Sequence, residues 1–145
     1  MIITGGKFKG QKITTVKNNL VRPTSSKVRQ SIFNVLQNHL EDAVVLDLFA
    51  GSGIFGIEAY SRGASEIFFV EKCSDVSRYI KQNISKFDLK YSFFQTDALA
   101  FLKKQPEYSF DLIFLDPPYN SKLIEESIEI IIIKNILRKG GIIVA

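Results

Sequence analysis

Five short apolar runs constrain this chain more than any other feature, because helical patterns separate each from the next. Val44-Val45-Leu46-Asp47-Leu48-Phe49 is the first, and Ala50-Gly51-Ser52-Gly53 turns from it into a helix over residues 54–61, stopped by Arg62-Gly63. Ile67-Phe68-Phe69-Val70 ends at Glu71 and precedes a helix from about residue 75 to 86. The third strand, 91–95, stops at Thr96-Asp97 and is followed by a helix over 98–104. The fourth, 110–115, has only Asp111 as a polar interruption. Apolar positions at Leu123, Ile124, Ile128, Ile131, Ile132 and Ile136 predict a helix over 123–137, although the isoleucine run alone would also fit a strand. Gly140-Gly141 then opens a fifth strand, 142–145. Strands this apolar need cover on both faces, and strands alternating with helices pair in parallel through right-handed crossovers. The expectation is one α/β domain over residues 1–145, with a mostly parallel sheet between two layers of helices.

Ahead of the first strand the character differs. Residues 2–13 alternate apolar and basic side chains around glycines, which predicts a two-stranded ribbon or arm within residues 1–21, too polar to be core. Arg22-Pro23-Thr24-Ser25-Ser26 sets a helix start, with Thr24 or Ser25 as cap. That helix reaches about Leu40 and carries an apolar face of Val28, Ile32, Val35, Leu36 and Leu40, with Lys27 and Arg29 off that face. Net charge is +4, but residues 1–40 hold seven basic residues and no acid, while the remainder holds twelve basic and fifteen acidic ones. A basic arm on a slightly acidic body suits a phosphate-backbone ligand. The single cysteine, Cys73, permits no internal disulfide and fits a reducing, cytoplasmic setting. No apolar run approaches the roughly 18 residues of a membrane span, and Lys7, Lys9 and Lys12 sit where a signal peptide would need an apolar segment. His39 has no candidate metal or nucleophile partner, so it reads as structural.

The ends of the strands carry the chemistry. After the fourth, Asp116-Pro117-Pro118-Tyr119 cannot continue a strand, since two prolines remove two N–H donors and fix φ twice. An acid, a free carbonyl and an aromatic are thereby held rigidly at the sheet edge where open α/β folds bind ligands. Acid and carbonyl can each accept one hydrogen of an amino group, and the ring can stack on a base. Gly51-Ser52-Gly53-Ile54-Phe55-Gly56 formally matches a dinucleotide fingerprint, with Glu71 near the ribose-binding distance. Asp47, ahead of those glycines, is oddly placed for a pyrophosphate but can position the loop and attract an ammonium group. Glu71 would take both ribose hydroxyls and Asp97 would accept from an adenine amino group. Three acids with no obvious phosphate partner suit a cationic adenosine ligand, of which S-adenosylmethionine is one.

Arg22-Pro23-Thr24 with Lys27-Val28-Arg29, then Asp47-Leu48-Phe49-Ala50-Gly51-Ser52-Gly53, then Asp116-Pro117-Pro118-Tyr119, together with Gly6-Lys7-Phe8-Lys9-Gly10, resemble the bacterial small-subunit ribosomal RNA guanine-N2 methyltransferases, the RsmD family. The resemblance covers essentially the whole chain. It implies a Rossmann-like class I methyltransferase fold that methylates the exocyclic amine of one guanine, conventionally numbered 966, in 16S rRNA of the small ribosomal subunit. It implies cofactor contacts from Asp47, Phe49, Ala50, Gly51, Ser52, Gly53, Glu71, Asp97 and Ala98, and a flipped guanine held by Asp116, Pro117 and Tyr119. It also implies RNA contacts from Lys7, Lys9, Arg22, Thr24, Lys27 and Arg29, and an enzyme that works as a monomer without a metal. The family's sheet continues into an antiparallel hairpin of two more strands, so the expectation is a chain truncated at its C-terminus. Three alternatives stay open: a DNA adenine or cytosine amino methyltransferase, which usually carries a separate target-reading domain, a nicotinamide-dependent dehydrogenase, and a non-catalytic RNA-binding relic.

Overall fold

The computed structural model describes residues 1–16, 24–104, 107–118 and 121–145. The elements run α1 (Ser26–Leu36), a 3-10 turn at Gln37–His39, β1 (Val44–Asp47), α2 (Ile54–Ser61), β2 (Glu66–Val70), α3 (Ser74–Ile84), β3 (Tyr91–Phe94), α4 (Ala98–Lys104), β4 (Phe110–Phe114), α5 (Ser121–Ile133) and β5 (Leu137–Val144). The strands form one parallel sheet in the order β3-β2-β1-β4-β5. The winding direction reverses at β1, which pairs with both β2 and β4. That reversal leaves a crevice beyond the carboxyl ends of the central strands.

Strand alternation divides the interior into two cores. Val45, Ile67, Phe69, Leu112 and Phe114 face one way and pack with Phe33 and Leu36 of α1, Ile54 and Ile57 of α2, and Ile80 and Ile84 of α3. Leu46, Phe68, Val70 and Ile113 face the other way and pack with Phe101 and Leu102 of α4 and Ile131 of α5. Both faces of the central strands are therefore covered, which is why their sequences are nearly free of polar residues. No helix among the described residues is long and apolar enough to cross a membrane.

The N-terminal segment departs from the expectation of a polar arm. It is a short antiparallel ribbon, with Ile2 bridged to Lys12, but Ile3 and Ile13 are buried in the first core. Its turn is fastened to the end of α2: the Lys7 N–H donates to Ser61 O at 2.8 Å, the Phe8 N–H to Ser61 Oγ at 2.9 Å, and Ser61 Oγ to Gly5 O at 2.6 Å. Ribbon residues point alternately in and out, so two isoleucines among lysines suffice to seat it.

Helix α1 also turns a different face inward. Ser25 caps it, accepting from the Val28 N–H at 3.2 Å, and its buried residues are Arg29, Phe33 and Leu36, with Leu40 following. Val28 and Val35 from the expected apolar face are 51% and 79% exposed. The buried stripe at 29, 33, 36 and 40 has helical spacing, but a charged residue opens it. At the far end, α5 stops at Ile133 and Leu137 already belongs to β5, so the expected helix over 123–137 is too long and the fifth strand starts earlier than 142. The pairing of β5 with β4 jumps from Phe110↔Leu137 to Leu112↔Ile142. Residues 138–141 bulge out of register there, with Gly140 at φ 78°.

Candidate active site

Four acids stand at or just beyond the carboxyl ends of β1, β2, β3 and β4. Asp47 ends β1 and is buried. Its Oδ2 accepts from the Gly56 N–H at 3.0 Å, which ties the strand to the first turn of α2 and shapes the loop between them. Burial pushes its carboxyl from the ordinary 3.8 up to about 7; the Gly56 N–H opposes the rise, and the Asp116 and Glu71 carboxylates add to it by repulsion. Gly51 and Gly53 take φ of 55° and 81°, a left-handed backbone that favours glycine. A Cβ on Gly51 would point into open space, whereas one on Gly53 would lie 2.8 Å from Ile80. The loop thus lies tight against α3 at Gly53 and open toward the crevice at Gly51.

Glu71 accepts from the Gly51 N–H at 2.9 Å through one carboxylate oxygen and from the Cys73 N–H at 2.9 Å through the other. It braces the loop and the entry to α3, and each oxygen keeps a lone pair for a further donor. Asp97 caps α4, accepting from the Ala100 N–H at 3.0 Å, and its other oxygen lies 3.8 Å from Lys72 Nζ. Ala98 is buried behind it and Phe49 packs against the second core, so both set the floor rather than the polar contacts. Ala50 is buried, with its N–H donating to Val70 O at 2.9 Å.

Asp116, past β4, is an exposed residue, and Thr24 Oγ1 donates to its Oδ2 at 3.4 Å. Desolvation raises its carboxyl above the ordinary value and the Thr24 hydroxyl opposes the rise. A cavity of about 190 Å³ opens beside it, lined by Thr24, Phe55, Phe114 and Asp116 and also by Val144 and Ala145. That is smaller than the roughly 300–1,000 Å³ pockets that enclose whole drug-sized ligands, so it suits one ring of a larger substrate. Pro117 is half-buried beside it. Tyr119 lies outside the described residues, as does Arg22.

The residues expected to meet RNA divide. Lys9 and Lys27 are exposed, and so is Lys7, whose Nζ lies 4.3 Å from the centre of the Tyr60 ring. Thr24 turns to Asp116. Arg29 is not at the surface at all: it is wholly buried, with Nε 2.6 Å from Glu58 Oε2 and Nη2 donating to Ile2 O. Glu58 is equally buried, also pairs with Arg62 at 3.2 Å, and accepts from the Thr4 N–H at 3.0 Å. Arg29 is therefore a correction to the expected RNA contacts. It joins ribbon, α1 and α2 where a paired charge can be buried.

Sequence reasoning missed two residues of the site. Phe55 is a wall of the cavity, hidden in a helix whose residues are nearly all buried. Asn83 is wholly buried, donating to Ser52 O at 2.9 Å and to Thr14 O at 2.8 Å while accepting from the Thr14 N–H at 2.9 Å. It fixes the glycine loop to the ribbon. Its signal was present, since an asparagine one position from Ile84 and three from Ile80 falls on the buried stripe of α3. Among the described residues no group of three His, Cys, Asp or Glu could hold a metal ion.

A parallel sheet in this order, with a glycine loop after β1 and acids at the next strand ends, defines the class I methyltransferase fold. A solved structure of the Escherichia coli protein yhhF superposes with a TM-score of 0.88 at 30% identity, over 99% of this chain and 78% of that one. More distantly, at 20% identity and a TM-score of 0.73, the same fold occurs in a Podospora anserina methyltransferase solved with S-adenosylhomocysteine bound, over 83% of this chain and 52% of that one. The family model described as conserved hypothetical protein 95 matches residues 1–145. Ribosomal RNA small subunit methyltransferase D of Haemophilus influenzae is 35% identical over 147 residues, covering 97% of this chain and 75% of that protein. The chain belongs to this methyltransferase D family.

Proposed function

We propose that this chain uses S-adenosylmethionine to methylate small-subunit ribosomal RNA, and that its target is the exocyclic N2 amine of a guanine, the one conventionally numbered 966 in 16S rRNA. The observation that carries this reading is the pairing of two features on one sheet edge: a glycine loop braced by Glu71, and a ring-sized cavity bordered by Asp116. The charge around the loop selects the cofactor. Burial is the main reason the Asp47 carboxyl is raised, and repulsion from Asp116 and Glu71 adds to it. A pyrophosphate would add negative charge to that cluster, whereas a sulfonium and an ammonium relieve it. Glu71 keeps the lone pairs for ribose hydroxyls, and Gly51 leaves the space for the ligand to approach. The cofactor supplies an electrophilic methyl group on sulfur.

The rest falls to the chain's own residues. An exocyclic amine is a weak nucleophile because its lone pair is delocalised into the ring. Acceptors at Asp116 and the Pro117 carbonyl, drawing on its two N–H bonds, favour the pyramidal form, while Tyr119 stacks on the base. As the new C–N bond forms and the methyl–sulfur bond breaks to leave a neutral thioether, nitrogen becomes positive before it gives up one proton to solvent. An anionic acceptor aimed there therefore stabilises the transition state more than the ground state. The base must leave its stack to enter, which favours a loop or single-stranded guanine. Mass analysis of small-subunit rRNA from cells lacking this protein tests the reading. One guanine should lose a methyl group, and an unchanged methylation pattern would contradict it.

A further inference from the structure

We propose that Thr24 is a positioning residue for the reaction: its hydroxyl orients the Asp116 carboxylate, and the buried Arg29–Glu58 pair holds Thr24 in place. The inference rests on the reading above, in which Asp116 accepts a hydrogen from the target amine. Three observations join in it. Thr24 Oγ1 donates to Asp116 Oδ2 at 3.4 Å, and both residues line the same cavity. Thr24 is fixed from behind, since Arg29 Nη1 lies 3.5 Å from Thr24 O while Arg29 Nε is locked to Glu58 at 2.6 Å. The next residue, Ser25, is fixed as the cap of α1. A chain of contacts thus runs from the buried Arg29–Glu58 pair through Thr24 to Oδ2 of Asp116.

Held this way, one oxygen of Asp116 is occupied by the hydroxyl and the other is left for the amine. A threonine whose hydroxyl is engaged internally is also a poor phosphate contact, although it stands between basic residues in sequence. Among the described residues, the groups that face Asp116 are few. β1 contributes the Asp47 carboxyl, itself raised in part by the Asp116 charge, α2 contributes Phe55, and Val144 of β5 and the following Ala145 also line the cavity. The Thr24 hydroxyl is the contact that favours the ionised form, opposing desolvation. Replacing it with a group of the same shape that cannot donate should make Asp116 harder to ionise.

The test is the pH profile of single-turnover methyl transfer to small ribosomal subunits, with saturating cofactor, for the wild type, Thr24→Val, Thr24→Ser and Asp116→Ala. Thr24→Val should move the acid limb upward by about 0.5–1 pH unit, which is a rate loss of roughly threefold to tenfold on that limb. Thr24→Ser should restore the wild-type limb, and cofactor affinity should be unchanged in both. An unmoved limb in Thr24→Val, with Asp116→Ala inactive, would overturn the role of Thr24 alone. So would a weaker RNA affinity with the limb in place, because Thr24 would then touch RNA directly. Asp116→Ala turning over at the wild-type rate would remove the reading of Asp116 on which the inference rests.

Discussion

Asp116 and Asp47 show how one residue type takes two roles from two environments. Asp116 faces the cavity with a free oxygen, so Asp116→Ala should cut single-turnover methyl transfer by about 10²–10³, the loss expected for one preorganised polar contact. Cofactor affinity should stay nearly unchanged, and Asp116→Asn should retain more activity because its amide oxygen still accepts. Asp47 is enclosed, and its raised carboxyl makes stability depend on pH. Between the ordinary 3.8 and about 7 the folded chain holds this proton and the unfolded chain does not. Stability therefore falls as pH rises through that window, by up to about 1.4 kcal/mol per pH unit. Thermal melts from pH 4 to 8 should show the decline in the wild type and a flatter profile in Asp47→Asn. Equal slopes in both would mean that another group carries the proton.

The elements differ in how much of their placement is local. Strands β2, β3 and β4 and helices α2 and α4 lie within about a residue of where their apolar runs, glycines and caps put them, because burial on both faces and turn chemistry agree there, while β1 starts at Val44 as expected but ends two residues early at Asp47. The turn after β1 was legible for the same reason, since Gly51 and Gly53 take the left-handed backbone their type permits and Asp47 accepts from the Gly56 N–H of the helix that follows. Helix α1 was not, because its inward stripe opens on Arg29, and a buried arginine is invisible until Glu58 arrives from α2 to pair with it. The ribbon was misread likewise, as Ile3 and Ile13 find a core only when α2 and α3 are beside them. Arg29→Ala should thus leave buried Glu58 with Arg62 as its one remaining charged partner among the described residues and cost about 3–5 kcal/mol in urea unfolding. A stability within 0.5 kcal/mol of wild type, with a reduced salt dependence of RNA binding, would restore Arg29 to the surface role its sequence context suggests.

At the scale of the whole molecule, the fold separates charge by task. The acids gather at the strand ends, while Lys7, Lys9 and Lys27 stand exposed on the ribbon and α1, Lys7 beside Tyr60 near the end of α2. Each lysine that meets a phosphate should contribute about one unit to the log–log salt dependence of RNA binding. Lys7→Ala, Lys9→Ala and Lys27→Ala measured in turn should lower that slope without changing cofactor affinity, and an unchanged slope in all three would place the RNA elsewhere. The central claim is that this edge of the sheet joins a methyl donor to a guanine amine. Its most direct measurement is incubation of the purified chain with S-adenosylmethionine carrying a labelled methyl group and small ribosomal subunits that lack the modification, followed by digestion of the RNA to nucleosides. Label should appear in N2-methylguanosine, and its rate of incorporation should fall by about 10²–10³ with Asp116→Ala. Label on adenine, on a ring nitrogen or on ribose, or no label at all, would contradict the account.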